Sequence, residues 1–193
     1  MKKMVFVVAL LAFALTGSAF AQDPAYRDNI GIYLDEAGTI SCGTVPLSTP
    51  TPAYLVLTQL TNSEVLGWEA KITFDNMFVL SFTLRGQAVD AGSRENEYVV
   101  GFASPLPAVN GNVVVADLSI FLNNANPAYA FADEIYFSLL ENGLPAYLDG
   151  ASGGHSLYPA LGGTNDPMFI VNGDCAPVSV EDSSFGSVKS LFR

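Results

Sequence analysis

The sequence has few cations, and this shortage argues against several classes of partner. Only eight of its 193 residues are Lys or Arg, against 19 Asp and Glu, so the formal net charge is −11. An acidic surface repels phosphate backbones and anionic lipids, which argues against nucleic-acid binding and membrane adhesion. The same charge favours solubility and attracts cations or basic partners.

Long apolar runs are absent beyond the first 21 residues. There, Lys2 and Lys3 precede an apolar run over residues 4–15, and a small-residue cleavage site ends at Ala21. This pattern is typical of a secretory signal peptide, and the run is shorter than the roughly 20 residues of a spanning helix. We therefore expect a secreted protein, extracellular or at the cell surface, with the periplasm as the alternative. Cleavage would remove both lysines and lower the net charge from −11 to −13.

Cysteine occurs twice, at Cys42 and Cys175. An even count in an oxidising compartment predicts one disulfide, here across a sequence separation of 133 residues. The chain-entropy model gives about 4–5 kcal/mol of stabilisation for a loop of that length. A catalytic Cys–His pair is the alternative, but nothing around either cysteine resembles a nucleophile site.

Residues suited to catalysis are scarce or unspecific. His155 is the only histidine and lies in a glycine-rich stretch, where a lone histidine is most often solvated. Paired carboxylates, which glycoside hydrolysis requires, occur at Glu95 and Glu97 and at Asp133 and Glu134. In a chain this acidic such pairs arise without a catalytic role. We predict that the protein is not an enzyme, with a glycan hydrolase as the minor alternative.

Oxygen-bearing side chains recur in four polar stretches, at residues 123–126, 133–134, 165–166 and 172–174. Calcium requires several such oxygens at close range, but none of these stretches matches an EF-hand. Asn and Asp in loops more often bond to the backbone of their own turn. We expect no cofactor, with a calcium ion as the alternative.

Strand patterns dominate the chain. The clearest covers residues 66–74, where apolar side chains from Trp68 to Phe74 alternate with polar ones, and Trp68 is predicted in the core. Further strands are predicted at residues 30–34, 54–60, 78–84, 98–102, 114–122, 135–139 and 168–171. Short strands separated by turn signals predict an all-β fold, an antiparallel β-sandwich of about eight or nine strands, in one domain over residues 22–178.

Two predictions concern details of these strands. Phe78, Leu80, Phe82 and Leu84 are expected on one face of their strand. Pro105 and Pro107 are expected to end the strand that begins at residue 98, because proline cannot donate to the hydrogen-bond ladder.

The last residues, 179–193, differ from the rest. Phe185, Val188, Leu191 and Phe192 have helical spacing, with acids before them and bases at the end. This arrangement suits the helix dipole, but the segment is short for an isolated helix. It predicts a short C-terminal helix or a flexible tail.

Two stretches resemble a known family. Residues 65–76, in which Gly67 precedes an alternating strand that ends in Phe-Asp, resemble the second-strand signature of cohesin-like domains. Residues 111–121, led by Gly111, are similar to a later strand of that family. The resemblance covers residues 28–175 and implies a jelly-roll sandwich with a non-catalytic binding role outside the cell. It implies no individual site residue.

Aromatic side chains supply the candidate binding residues. Sugars stack on exposed rings, and Tyr129, Tyr147 and Tyr158 occur in loop-like contexts. We therefore predict a secreted, non-catalytic binding module that recognises a glycan or a protein partner through these residues. The alternative is a structural or assembly component of an envelope or extracellular layer, in which residues 179–193 contact a neighbour or a sorting partner.

Overall fold

The computed structural model describes residues 27–163 and 165–175. All regular structure in this part of the chain is β, and it contains no helix long and apolar enough to cross a membrane. The predicted signal peptide at residues 1–21 and the predicted tail at residues 179–193 lie outside the described residues.

The strands are short and separated by turns, as the sequence predicts. They are β1 (Asn29–Tyr33), β2 (Cys42–Gly43), β3 (Thr51–Thr58), β4 (Glu64–Asp75), β5 (Phe78–Leu84), β6 (Ala88–Asp90), β7 (Glu97–Pro107), β8 (Val113–Phe121), β9 (Ala128–Asp133), β10 (Ala146–Asp149), β11 (Gly154–Ser156), β12 (Tyr158–Pro159) and β13 (Phe169–Val171).

Two sheets form the sandwich. The first has the strand order β12-β1-β3-β8-β5. In the second, β4 pairs with β7 along one edge and with β10 and β9 along the other, and β6, β11, β13 and β2 extend it. The strand pairs are antiparallel except β1 with β12 and β2 with β13, which are short and parallel. The predicted β-sandwich is confirmed, and both of its sheets are mixed.

The core lies between the sheets. Ile32 and Leu55 of the first sheet and Trp68 and Ile72 of the second belong to one buried cluster. Trp68 stacks on Tyr98 with ring centroids 5.8 Å apart, which confirms its predicted core position. Such rings bury large apolar areas and prefer offset geometries like this one.

The predicted disulfide is confirmed. Cys42 in β2 is bonded to Cys175, four residues beyond β13, with Cα atoms 5.7 Å apart. The bridge therefore reinforces the short parallel pairing of β2 with β13, and a disulfide fits an oxidising compartment.

The predicted face of β5 is wrong at its first half. Phe78 and Leu80 are 54% and 56% exposed, whereas Val79 packs against the core together with Phe82 and Leu84. Val79 pairs with Ile120 and Ser81 with Ser119, so Leu80 is an extra residue in the ladder. This β-bulge reverses the faces on either side of it.

A similar irregularity occurs in β8, where Leu55 pairs with Ala116 but Val56 pairs with Val114. Simple alternation from residue 114 would place Val115 on the side of Asp117 and Ser119, but Val115 is buried in the core. Val114 instead packs with Val56 in a small second cluster.

The prediction that Pro105 and Pro107 end their strand is also wrong, because β7 continues to Pro107. Val65 pairs with Leu106 and Gly67 with Gly101, so residues 102–105 stand opposite a single residue of β4. Pro105 thus lies in a bulge and Pro107 at the strand end, two positions where a missing N–H is tolerated.

Candidate functional site

An irregular segment, residues 134–140, crosses the outer face of the second sheet, and we call it the flap. A strand was predicted at residues 135–139, and that prediction is wrong: the segment forms turns. Outward-facing Glu69 of β4 accepts hydrogen bonds from Ser138 Oγ at 2.7 Å and from the Leu139 backbone N–H at 2.6 Å. Glu97 of β7 accepts from the backbone N–H of Tyr136 at 3.1 Å. Two carboxylates of the sheet therefore hold the flap, through bonds that charge strengthens.

The flap exposes apolar side chains, and Tyr136, Phe137 and Leu139 form what we call the aromatic patch. Phe137 is 81% exposed, the highest value among the exposed large apolar side chains of the described residues. The rings of Tyr136 and Phe137 meet edge to face with centroids 4.7 Å apart. The guanidinium of Arg94 lies 3.7 Å from the centroid of the Tyr136 ring, close enough for a cation–π contact.

Acidic residues surround the aromatic patch in sequence and in the sheet beneath it. Besides Glu69 and Glu97, these are Glu95, Asp133, Glu134 and Glu141, all at least partly exposed. The cations in the same region are Arg94 and Lys71, which pairs in register with Asp133 and Glu97. The surroundings of the patch are therefore net negative.

The sheet beside the flap is open. Val89 of β6 is exposed and pairs with Gly101 of β7. A Cβ atom added to Gly101 would meet no atom within 4 Å. This part of the outer face is therefore uncovered at Val89 and Gly101.

The three predicted binding tyrosines lie in strands rather than loops. Tyr129 is in β9, half-buried beside Phe131, and Tyr158 is in β12, also half-buried. Tyr147 is in β10 and only 1% exposed. Its hydroxyl donates to Asp28 at 3.1 Å and accepts from the side-chain amide of Asn62 at 3.0 Å, and burial raises its pKa.

The ring of Tyr147 also stacks on His155 with centroids 5.0 Å apart. It therefore lacks the exposed face that sugar stacking requires. The structure places the three tyrosines on three different strands. The exposed apolar residues of the flap lie in a segment that was predicted as a strand, and Phe137 is the most exposed of them. The only signal in the sequence for residues 135–139 was their period-two apolar pattern, which is typical of a strand.

His155 belongs to a polar network at the end of the second sheet. Its Nε2 lies 2.9 Å from Asp149 Oδ2 and 3.1 Å from Asn62 Nδ2. The hydrogen bond with His155, aided by the Gly153 and Ala151 backbone N–H groups, lowers the pKa of Asp149. The only histidine of the chain, expected to be solvated, is therefore hydrogen-bonded to Asp149 and Asn62.

Residues 150–154 form a Gly-x-Ser-x-Gly pattern directly before this histidine. In hydrolases that pattern marks a nucleophile at a turn between a strand and a helix. Here it forms the turn between β10 and β11, so a strand follows it, and Ser152 has a φ of 66°. Within the described residues no hydrogen bond joins the Ser152 hydroxyl to His155, so the contact between nucleophile and base is missing.

No group of three or more His, Cys, Asp or Glu in the described part of the chain could hold a metal ion. In three of the four stretches considered as calcium sites, residues 123–126, 165–166 and 172–174, a side-chain oxygen accepts from a backbone N–H. Asn124 accepts from the N–H of Asn126, Asp166 from that of Gly163, and Asn172 from that of Val45. These bonds are the turn and loop contacts expected of Asn and Asp.

A groove of about 480 Å³ lies at one end of the sandwich, where Arg85, Leu106 and Asn112 contribute to its wall. Arg85 donates to both carboxylate oxygens of Asp117, at 2.9 and 2.6 Å, and to Glu36 at 2.7 Å. These bonds raise the pKa of Arg85. Because two carboxylates already neutralise this cation, the groove offers no free positive charge to a ligand.

The sequence matches no protein-family model and no curated protein. Solved structures with a similar fold are cohesins. The sixth cohesin of scaffoldin B from Acetivibrio cellulolyticus, solved in complex with a Cel5 dockerin mutant, is 10% identical with a TM-score of 0.50, covering 77% of this chain and 100% of that one. A cohesin module from a family 33 glycoside hydrolase of Clostridium perfringens is 9% identical with a TM-score of 0.46, covering 68% and 90%.

A non-cellulosomal cohesin from Archaeoglobus fulgidus is 8% identical with a TM-score of 0.39, covering 68% of this chain and 85% of that one. At such identities similarity shows the fold alone. The match to the scaffoldin B cohesin shows that the chain has a cohesin-like β-sandwich fold, which confirms the resemblance seen at residues 65–76 and 111–121.

Proposed function

We propose that this protein is a non-catalytic binding module that recognises a protein partner through the aromatic patch. The observation that carries the proposal is the exposure of Tyr136, Phe137 and Leu139 on a flap held by two carboxylates of the sheet. Contiguous exposed apolar side chains ringed by polar ones mark interaction sites on soluble proteins. Aromatic anchors of this kind contribute most of the energy of many protein interfaces.

The way the flap is held supports the same role. Bonds from Glu69 and Glu97 fix the backbone that carries the rings, and Arg94 restrains the ring of Tyr136. A surface ordered before binding loses less conformational entropy when the partner arrives. An interface of this kind gains affinity without the chemistry of a catalytic site.

The charge around the patch specifies the partner's chemistry. A complementary partner would place an apolar side chain against Phe137 and basic side chains toward Glu95, Asp133, Glu134 or Glu141. Such complementarity chiefly accelerates association and suppresses wrong partners, and salt weakens it. Binding is therefore expected to slow as ionic strength rises.

Two further observations agree with this reading. One cohesin of the same fold was solved with a dockerin partner, and the similarity to this chain extends over the whole of that cohesin. The predicted signal peptide over residues 1–21 and the Cys42–Cys175 bridge favour action outside the cytoplasm.

The test is capture of partners from the secreted proteins of the source organism on immobilised residues 22–193. A protein retained by the wild type and lost with the double variant Tyr136→Ala/Phe137→Ala would support the proposal. Val109→Ala, which truncates an exposed apolar side chain on a different loop, is the matched control. Equal retention by all three proteins would overturn the proposed site.

Glycan recognition, the other class of ligand predicted from the sequence, is tested in parallel. Affinity electrophoresis through gels that contain a panel of polysaccharides would show retardation of a glycan-binding module, with and without calcium. Retardation abolished by Tyr129→Ala or Tyr158→Ala would replace the protein-binding proposal. For the assembly alternative, deletion of residues 179–193 would change secretion or polymer state and leave affinity for a captured partner unaltered.

A further inference from the structure

The outermost strands of the two sheets are unequal in length. The strands β12, β11, β6 and β2 have two or three residues each, whereas β5, at the end of the first sheet, has seven. Proteins commonly protect sheet edges by keeping them very short or by placing charge or proline on them. The four short strands are protected by their length, whereas β5 is not.

The composition of β5 supplies no other protection. The strand from Phe78 to Leu84 contains no charged residue, no proline and no glycine, in a chain whose net charge is −11. Phe78 and Leu80 are more than half exposed. The Phe78 ring stands beside Phe121 of β8 with centroids 6.5 Å apart, so the apolar surface continues from the edge onto the sheet.

The backbone of β5 has hydrogen-bonding groups free for a partner. Within the described residues, β5 pairs with β8 alone. The Arg85 N–H donates to Val115 at 2.9 Å, which places Arg85 in a hydrogen-bonded pair with β8. Because such pairs alternate in an antiparallel ladder, the N–H and C=O groups of Phe82 and Leu84 point away from β8.

We propose that β5 is a homotypic interface, in which β5 of one molecule pairs antiparallel with β5 of a second copy. The two first sheets would then join into one continuous sheet across a two-fold axis. A two-fold contact requires a surface complementary to itself, and an antiparallel strand edge without charge meets that requirement.

Charge is the reason to assign this edge to a second copy. Two copies of this acidic chain, whose net charge is −11 in full and −13 over residues 22–193, repel one another, so they associate best where the contacting surfaces are uncharged. Among the outermost strands of the described chain, β5 is the uncharged segment long enough to pair over several residues. The same strand in a second molecule has the same length and is likewise uncharged, so it can pair with β5 along its whole length.

The experiment measures the mass of oxidised residues 22–193 by sedimentation over a range of concentration and salt. We expect a dimer that strengthens as salt screens the repulsion. Leu80→Lys should weaken dimerisation on the order of tenfold or more, because it places a cation at a closing apolar edge. Val109→Lys changes the net charge equally at a distant exposed site and should leave dimerisation intact.

Hydrogen exchange provides a second readout that needs no variant. The amides of Phe82 and Leu84 should become protected as the wild-type concentration rises, while the exposed flap amides do not change. A monomer at all concentrations, or a dimer that Leu80→Lys and Val109→Lys affect equally, would overturn the proposal. Loss of the dimer on deletion of residues 176–193, with Leu80→Lys neutral, would assign association to that segment instead.

Discussion

Single carboxylates decide the geometry of the candidate site. From the alternation of Glu69 with Trp68 and Ala70, the sequence alone predicts a solvated residue on the polar face of β4. In the structure it accepts two hydrogen bonds from the flap, which lies 69 and 70 residues further along the chain. A charged side chain on the outer face is thus the main attachment of the segment that carries the aromatic patch.

Replacing Glu69 by Ala should therefore loosen the flap and leave the core intact. Hydrogen bonds to charged groups contribute about 1.5–3 kcal/mol to stability. Because Glu69 and the flap are partly exposed to solvent, we expect the two bonds to Glu69 to lie at the lower end of that range. We expect the Leu139 amide to exchange on the order of tenfold faster, with little change in the core amides of β4. Lys71→Ala, on the same face of the same strand, is the control, and equal exchange in both variants would contradict the role of Glu69.

Asp149 provides a prediction for pH. Its hydrogen bond with His155 lowers its pKa below the ordinary value of 3.8, so this carboxylate stabilises the folded state above that value. The contribution disappears as the pH falls through the lower folded-state pKa. Asp149→Asn should therefore reduce the melting temperature at neutral pH, and the difference from the wild type should shrink in acid below pH 3.8.

Thermal unfolding followed by circular dichroism, from neutral to acidic pH, measures this difference. Asp166→Asn, whose carboxylate also accepts from a backbone N–H but has no histidine partner, is the control. A melting-temperature difference between wild type and Asp149→Asn that stays constant down to strong acid would contradict the prediction.

Among the elements, the hairpin before β8 was predictable because its chemistry is local. Asn110 and Gly111 both have positive φ, and Val109 and Asn112 exchange two backbone hydrogen bonds at 2.9 and 3.0 Å. This geometry is that of the two-residue turn for which Asn-Gly is the strongest sequence signal. The turn residues alone determine it.

Gly111→Ala should therefore destabilise the protein by about 1 kcal/mol, since alanine is strained at a φ of 79°. Gly101→Ala is a matched control, because its Cβ would enter open space and its φ lies outside the positive region. Urea denaturation of both variants gives the comparison. An equal loss of free energy of unfolding in the two would show that backbone strain at Gly111 is not the cause.

The bulges and the flap were not predictable, because their causes lie in other strands. From Trp68 to Phe74 the alternation of β4 is regular, and it gave both faces of that part correctly. In β5, the extra residue Leu80 is defined only by the register with β8, and single-strand periodicity carries no information on it. Residues 135–139 have the same period-two pattern as a strand, yet Glu69 and Glu97 hold them as turns.

On the scale of the whole molecule, the disulfide joins two regions that secondary structure holds weakly. The parallel pair of β2 and β13 has only two residues in register, Ile170 with Cys42 and Val171 with Gly43. The bridge across 133 residues was predicted from cysteine count and compartment alone. Of the two strands that it ties together, β13 was predicted at residues 168–171, whereas β2, with only two residues, is too short to show a pattern and was not predicted.

Replacing both Cys42 and Cys175 by Ser should lower the free energy of unfolding by about 4–5 kcal/mol, mainly by freeing the unfolded chain. Urea denaturation of the oxidised wild type, the reduced wild type and the double variant tests this. Reduced wild type and variant should agree with each other. A variant as stable as the oxidised protein would contradict the prediction.

The same bridge determines how the domain responds to mechanical force. A pull between residues 27 and 175 passes from Cys175 directly to Cys42, so the chain enclosed by the bridge bears no load. Only β1 and the residues up to Cys42 can be drawn out, and their full extension is roughly 50 Å, which is an upper limit on the lengthening. In a single-molecule pulling experiment the oxidised protein should therefore yield one short step as β1 shears from β3 and β12, and the reduced protein should extend several times further. The oxidised domain would therefore retain most of its sandwich, the outer face of the second sheet included, while under tension.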